Sequence, residues 1–142
     1  PYYAANAQIK TRPYDGIMDM LKELKSHNLK LGIVSNKFDS AVKELCKKYY
    51  DEYILVAIGE SKNVARKPAP DSVFTAMEEL GSSKEETVYV GDSDVDVMTA
   101  HNAGLKCIGV TWGFRSKEVL LQAGADFIID TPMELVELLR AI

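Results

Sequence analysis

Long apolar runs are missing from this chain. No stretch approaches the length needed to cross a bilayer, and no charged, apolar and small-residue succession marks a signal peptide. Cysteine is scarce. Cys46 and Cys107 lie far apart, neither in a cluster of metal-ligand spacing, so both read as buried, reduced thiols, and the expected location is cytoplasmic. An excess of positive charge is missing too: 17 Lys and Arg stand against 21 Asp and Glu, a net charge of −4. The basic residues form no stripe, which argues against nucleic acid or an anionic membrane as the partner. There is no Gly-x-Gly-x-x-Gly after the first strand-like run, which argues against a dinucleotide site. Repeats and low-complexity tracts are absent. The two histidines, His27 and His101, have no partner pattern and read as structural.

What is present is alternation, over a length of 142 residues that suits one domain. Residues 15–27 place Ile17, Met20, Leu21 and Leu24 on one helical face. "KLGIVS" (30–35) reads as a buried strand. Phe38, Ala41, Val42, Leu45, Cys46 and Tyr49 then recur at helical spacing. "YILVAI" (53–58) is the next strand, and 70–80 a helix with Val73, Phe74, Met77 and Leu80 inward. Strand 87–90, helix 94–103, strand 106–111, helix 116–123, strand 126–130 and helix 132–141 complete the series. Strands of continuous apolar character alternating with helices predict a Rossmann-like α/β fold. Its parallel sheet is covered by helices on both faces.

"TVYVGDSDVDVMTA" (87–100) holds the densest chemistry. Asp92, Asp94 and Asp96 follow a buried strand, and like charges so close repel. Helix capping accounts for one or two of them, with Val95, Met98 and Thr99 facing inward behind. A divalent cation accounts for more, since Mg²⁺ takes one or two carboxylates and leaves room for phosphate oxygens.

Position decides between these readings. In such a sheet, ligands bind beyond the carboxyl ends of the strands. Three segments follow strands with unusual residues: "SNK" (35–37), "GESKNVARKPAP" (59–70) and "GDSDVD" (91–96). Together they offer a hydroxyl, backbone N–H groups, a lysine and carboxylates, a set suited to a phosphoryl group and a cation. Ser35 also fits a cap for the helix near Phe38, and Lys67 taken alone fits an ordinary surface lysine. Arg66 reads as a surface-pairing residue, and Trp112 in "TWGF" (111–114) as scaffold.

The ordered set "LGIVSNK", "RKPAPD", "VYVGDSDVD" and "TAHNAGLKCIGVTWGFR" resembles the haloacid dehalogenase-like hydrolases, within them the phosphoglycolate phosphatase-like group. The resemblance runs from about Thr11 to the end. It implies that Ser35 bonds the transferring phosphoryl group, with the Asn36 backbone N–H alongside, and that Lys67 neutralises its charge. Asp92 would bind Mg²⁺, Asp96 would bind it through water or support that ligand, Gly91 would permit a tight turn, and Asp94 would be surface or cap. The implied activity is hydrolysis of a small phosphate monoester, phosphoglycolate first, through an aspartyl-phosphate. The other reading is an inactive phosphate- or Mg²⁺-binding or interaction domain.

One part of the family pattern is not found: an apolar strand ending in Asp-x-Asp, which supplies the nucleophile and the general acid and base. "YDGIMD" (14–19) is preceded by "KTRP", no buried strand, so Asp15 reads as a helix cap. Residues 1–12 resemble the end of a cap domain, with Tyr2 and Tyr3 closing its last helix. Residues 13–142 then form an incomplete core belonging to a longer enzyme. The resemblance places the missing strand between strands 30–35 and 87–91. Three arrangements are expected: a separate N-terminal segment in the slot, direct pairing of the two strands at roughly 5 Å, or a second copy filling the gap.

Overall fold

A computed structural model describes residues 2–5, 16–50, 52–112 and 115–141. Six strands form one parallel sheet: β1 (Tyr2–Ala5), β2 (Lys30–Phe38), β3 (Val56–Glu60), β4 (Thr87–Gly91), β5 (Lys106–Val110) and β6 (Phe127–Ile129), in the order β3-β2-β1-β4-β5-β6. Among the described residues six α-helices accompany them: α1 (Ile17–Ser26), α2 (Asp39–Tyr49), α3 (Asp71–Leu80), α4 (Asp94–Asn102), α5 (Lys117–Ala123) and, after the last strand, α6 (Pro132–Ala141). The expected α/β class is therefore observed.

The apolar strands are continuous because alternate residues serve opposite faces. Leu31 and Ile33 of β2, Val88 and Val90 of β4, and Ile108 and Val110 of β5 pack with α1, α2 and α6. Val34, Tyr89 and Cys107 point the other way, into a second core with α3, α4 and α5. Both cysteines are buried, and burial pushes the Cys107 thiol far above its ordinary range.

The centre of the sheet departs from expectation. Tyr2–Ala5 is a strand, not the end of a helix, and it lies between β2 and β4. Tyr3 is level with Leu31 on one side and Val88 on the other. Strands β2 and β4 thus neither pair directly nor face an open slot. The physical reason is the pair of unsatisfied backbone edges they present. A four-residue segment led by two tyrosines, which favour strands, satisfies both; a helix there would satisfy neither.

Smaller differences have local causes. Tyr53 and Ile54 hydrogen-bond back to the Tyr50 carbonyl, so they close the turn after α2, and β3 starts only at Val56. Strand β2 runs on to Phe38, through a break in register with β3 between Val34 and Phe38. Phe38, Phe74 and Met98, expected inward, are exposed. On α3 the buried set is Ser72, Val73, Ala76, Met77 and Leu80, and on α4 it is Asp96, Val97, Thr99 and Ala100. Each of these helices is rotated about one residue from the face that its largest apolar side chains suggested. The Asp15 cap, and Gly113 and Phe114 of "TWGF", lie outside the described residues. No helix among the described residues is long and apolar enough to cross a membrane.

Candidate phosphate and cation site

Because the sheet is parallel, the segments after β2, β3 and β4 open on one edge. Strand β4 delivers the acidic segment. Its last residue, Gly91, is glycine because the folded chain leaves no space there for a side chain. It has no positive φ, and a Cβ there would lie 2.3 Å from the Asp96 Cβ and 2.6 Å from its Cγ. The Asp96 side chain folds back over the end of the strand. Ser93 is the N-cap of α4, and its hydroxyl accepts the Asp96 N–H at 3.2 Å. Capping is thus the serine's task, which leaves the aspartates to be explained otherwise.

Asp96 is fully buried, and Asp92 is 2% exposed. Asp96 Oδ1 accepts from Lys67 Nζ at 2.8 Å and from the Tyr89 hydroxyl at 3.0 Å. Its Oδ2 accepts the Asp92 backbone N–H at 2.9 Å. A buried carboxylate needs such compensation, and here three donors converge on it. Burial, and then the neighbouring Asp96 charge, push the Tyr89 phenol well above its ordinary range, so the hydroxyl remains a donor. Asp94 stays at the surface, 3.5 Å from the Arg115 Nε. Arg115 also donates its backbone N–H to the Asp92 carbonyl at 3.0 Å, tying the segment after β5 to the acidic one.

Lys67 arrives from the segment after β3. It is no surface lysine: its side chain is 9% exposed and is paired with Asp96. The Asn36 side chain clamps its backbone, accepting the Lys67 N–H at 2.7 Å and donating to its carbonyl at 3.5 Å. Asn102, at the end of α4, donates to the adjacent Pro68 carbonyl at 2.9 Å. Arg66 pairs with Glu60 at the surface, as expected. His101 binds Asp126 and is structural. Trp112 packs against the core beside α1, α2 and α6.

Ser35 does not cap α2. That helix begins after Phe38 without a side-chain cap, and the half-buried Ser35 hydroxyl accepts the Lys37 N–H at 3.2 Å. The structure thus joins Asn36, Lys67, Asp92 and Asp96 into one connected network and sets Ser35 on the same edge. Tyr89, Asn102 and Arg115 were missed by sequence reasoning. Tyr89 left one signal: a phenol inside an apolar strand needs a partner.

No group of three or more His, Cys, Asp or Glu able to hold a metal occurs among the described residues. The donors present suit a narrower site. Asp96 is held by three protein donors, and Asp92, buried beside it at the same strand end, could hold a cation with Asp96 behind it. One direct carboxylate, completed by water and phosphate oxygens, fits Mg²⁺.

The model of the haloacid dehalogenase-like hydrolases matches residues 1–110. This chain belongs to that family. A pyrophosphatase PpaX of Halalkalibacterium halodurans is 33% identical over 129 residues, 89% of this chain and 59% of the relative. A phosphoglycolate phosphatase of Aquifex aeolicus is 33% identical over 143 residues, covering 97% of this chain and 64% of the relative. Among solved structures, a Lactobacillus delbrueckii subsp. bulgaricus protein with a provisional phosphoglycolate phosphatase assignment superposes with a TM-score of 0.87. It is 42% identical, over 92% of this chain and 54% of that one. A haloacid dehalogenase-like family protein of Streptococcus pneumoniae gives a TM-score of 0.82 at 25% identity, over 90% of this chain and 60% of that one. The chain therefore spans a little over half the length of the first relatives it matches.

Proposed function

We propose that this chain carries the phosphate- and Mg²⁺-binding half of a cytoplasmic phosphatase acting on a small phosphorylated metabolite. The observation that carries this reading is the connected set Asn36–Lys67–Asp96–Asp92 at the carboxyl edge of the sheet. Lys67 would meet a phosphoryl group with positive charge while Asp96 holds its ammonium in place. Ser35 would donate its hydroxyl to a phosphoryl oxygen, and the Asn36 backbone N–H would serve alongside. Asp92 would hold Mg²⁺, with Asp96 orienting it. When bound, Mg²⁺ supplies charge neutralisation at phosphate oxygens. The names of the relatives support phosphoglycolate and pyrophosphate as the first substrates to try. A sugar phosphate is the third. Nucleic acid and membranes are not among the proposed partners.

A second reading has its own observation. β1 fills the central position with Tyr-Tyr-Ala-Ala, and the first acid in the sequence is Asp15. An attacking carboxylate would therefore have to reach the strand ends from elsewhere, from a separate N-terminal segment or a second copy, since β1 already fills the centre of the sheet. On this reading Tyr2–Ala5 complete the sheet where a catalytic strand would lie, and the chain is a core without its nucleophile. The chain alone would then bind Mg²⁺ and phosphate with little turnover.

Calorimetric titration of MgCl₂, with phosphate release from phosphoglycolate and pyrophosphate measured in parallel, tests both readings. Mg²⁺ binding that Asp92→Asn weakens by about 10²-fold is the expected result. Binding unchanged in that variant sinks the metal role. Mg²⁺-dependent turnover at enzymic rates by the chain alone sinks the second reading.

A further inference from the structure

The second core contains one side chain whose polarity packing does not require. Tyr89 is completely buried, on the middle of β4, among Val34, Val73, Val97, Cys107 and Leu120. A phenylalanine would fill the same space without a polar atom. Burying a hydroxyl costs free energy unless it is hydrogen-bonded, so the oxygen of Tyr89 needs a purpose. Its partner is Asp96 Oδ1, at 3.0 Å.

That bond bears on both functional neighbours of Asp96. Lys67 Nζ shares the same oxygen, and the Asp92 N–H takes the other. With donors on both oxygens, the carboxylate cannot rotate about its Cβ–Cγ bond without losing one. Its orientation in turn fixes the Asp92 backbone N–H and so the direction in which Asp92 leaves the strand. The lysine is affected as well. An ammonium has three donors, and the contact with Asp96 uses one. The tyrosine takes up one side of that oxygen, which restricts the direction from which the ammonium approaches it.

We propose that Tyr89 is a positioning residue of this site. Its hydroxyl, together with Lys67 Nζ, holds Oδ1 and so helps to lock the Asp96 carboxylate in the rotation that accepts the Asp92 N–H, and it limits where Lys67 can sit on that oxygen. The bearing of this on an anion and a cation belongs to the function proposed above and rests on that reading. The lock itself does not.

The test therefore has two readouts on the full chain carrying Tyr89→Phe. Tyr89→Met serves as a second variant, keeping bulk without the hydroxyl. The first readout is the amide proton shift of Asp92 by NMR, which needs no ligand. Loss of the lock moves Asp92, three residues away, more than it moves Val90, which is adjacent. A spectrum in which Val88 and Val90 shift while Asp92 stays overturns the proposal. The second readout is the affinity for MgCl₂ and for inorganic phosphate. A five- to tenfold loss of both, with a melting temperature that falls only a few degrees, is expected. Unchanged affinities with a moved Asp92 amide overturn the link to ligand binding and keep the lock. A wild-type chain that binds neither ligand overturns the proposed function, and the amide shift still decides the role of Tyr89.

Discussion

Strands β2 and β4 end on the same edge of the sheet, and the two ends are built by different means. The end of β4 is buried. Gly91 has no room for a methyl group, Asp92 and Asp96 are almost wholly covered, and the Asp96 oxygens are matched with donors. The end of β2 runs past the sheet. It breaks register after Val34, leaves Lys37 and Phe38 in solvent (Phe38 is 73% exposed), and is caught again at Asp39, which accepts the Gly59 N–H at 2.9 Å. The first is a wall of charges fixed before any ligand arrives. The second is an exposed span of backbone held at its two ends and, through the Asn36 side chain, to the Lys67 backbone. Preorganised charge is the more valuable where an anion and a cation must both be met, because its ordering cost is met on folding and not on binding.

If this contrast is right, substitutions in the fixed wall destabilise the fold and substitutions in the span do not. Lys67→Met is the strongest trial. It removes the charged partner of a carboxylate that is 1% exposed. Breaking such a buried pair costs about 3–5 kcal/mol. The Tyr89 hydroxyl and Asp92 N–H remain, so the lower end of that range is expected. Ser35→Ala, in the span, should stay within about 0.5 kcal/mol of the parent. Urea midpoints compare the two directly, and equal costs would break the contrast. Gly91→Ala comes next. Its new methyl meets the Asp96 side chain near the backbone, where little can yield, and overpacking of this kind costs about 1–3 kcal/mol. If Gly91→Ala unfolds at the parental midpoint, Asp96 does not sit where the structure puts it.

The uneven construction explains what was legible in the sequence. The element series from Ile17 onward was readable because buried parallel strands are continuous apolar runs and the helices between them keep a 3.6-residue period. The grouping of Asn36, Lys67, Asp92 and Asp96 followed from topology, since a parallel sheet brings every strand end to one edge. Their bonding did not. Nothing in the residue types shows that the Asn36 side chain holds the Lys67 backbone, or that Asp96 is held by Lys67, Tyr89 and the Asp92 N–H. Strand β1 was misread because four residues are too short for periodicity to speak. What makes Tyr2–Ala5 a strand is the pair of backbone edges waiting at β2 and β4, which is tertiary context. Phe38, Phe74 and Met98 were misread for a related reason. Large apolar side chains were assumed inward, whereas on α3 and α4 the smaller Ala76, Val97 and Ala100 are among the fully buried ones.

Acid supplies the gentlest trial, at the place where the span is caught. Burial alone would raise the Asp39 carboxyl, but the Lys43 ammonium and the Gly59 N–H outweigh it, and its pKa lies below the ordinary 3.8. A carboxyl held lower in the folded state than in the unfolded chain adds stability above the unfolded value. That stability is lost as pH falls through the folded one. The Asp39 side chain is one-third exposed, so solvent screening keeps the effect small, under about 1 kcal/mol. Asp39→Asn should therefore unfold at a slightly lower urea concentration than the parent at pH 6. The difference should close as pH drops below about 3.8. The fixed wall predicts where the damage is confined. Amide exchange in Asn36–Ser40 should quicken in the variant at pH 6 while exchange at Gly91–Val97 stays as it was. If both segments quicken together, the two strand ends are one mechanical unit, and the distinction between a buried wall and an exposed span has to be abandoned.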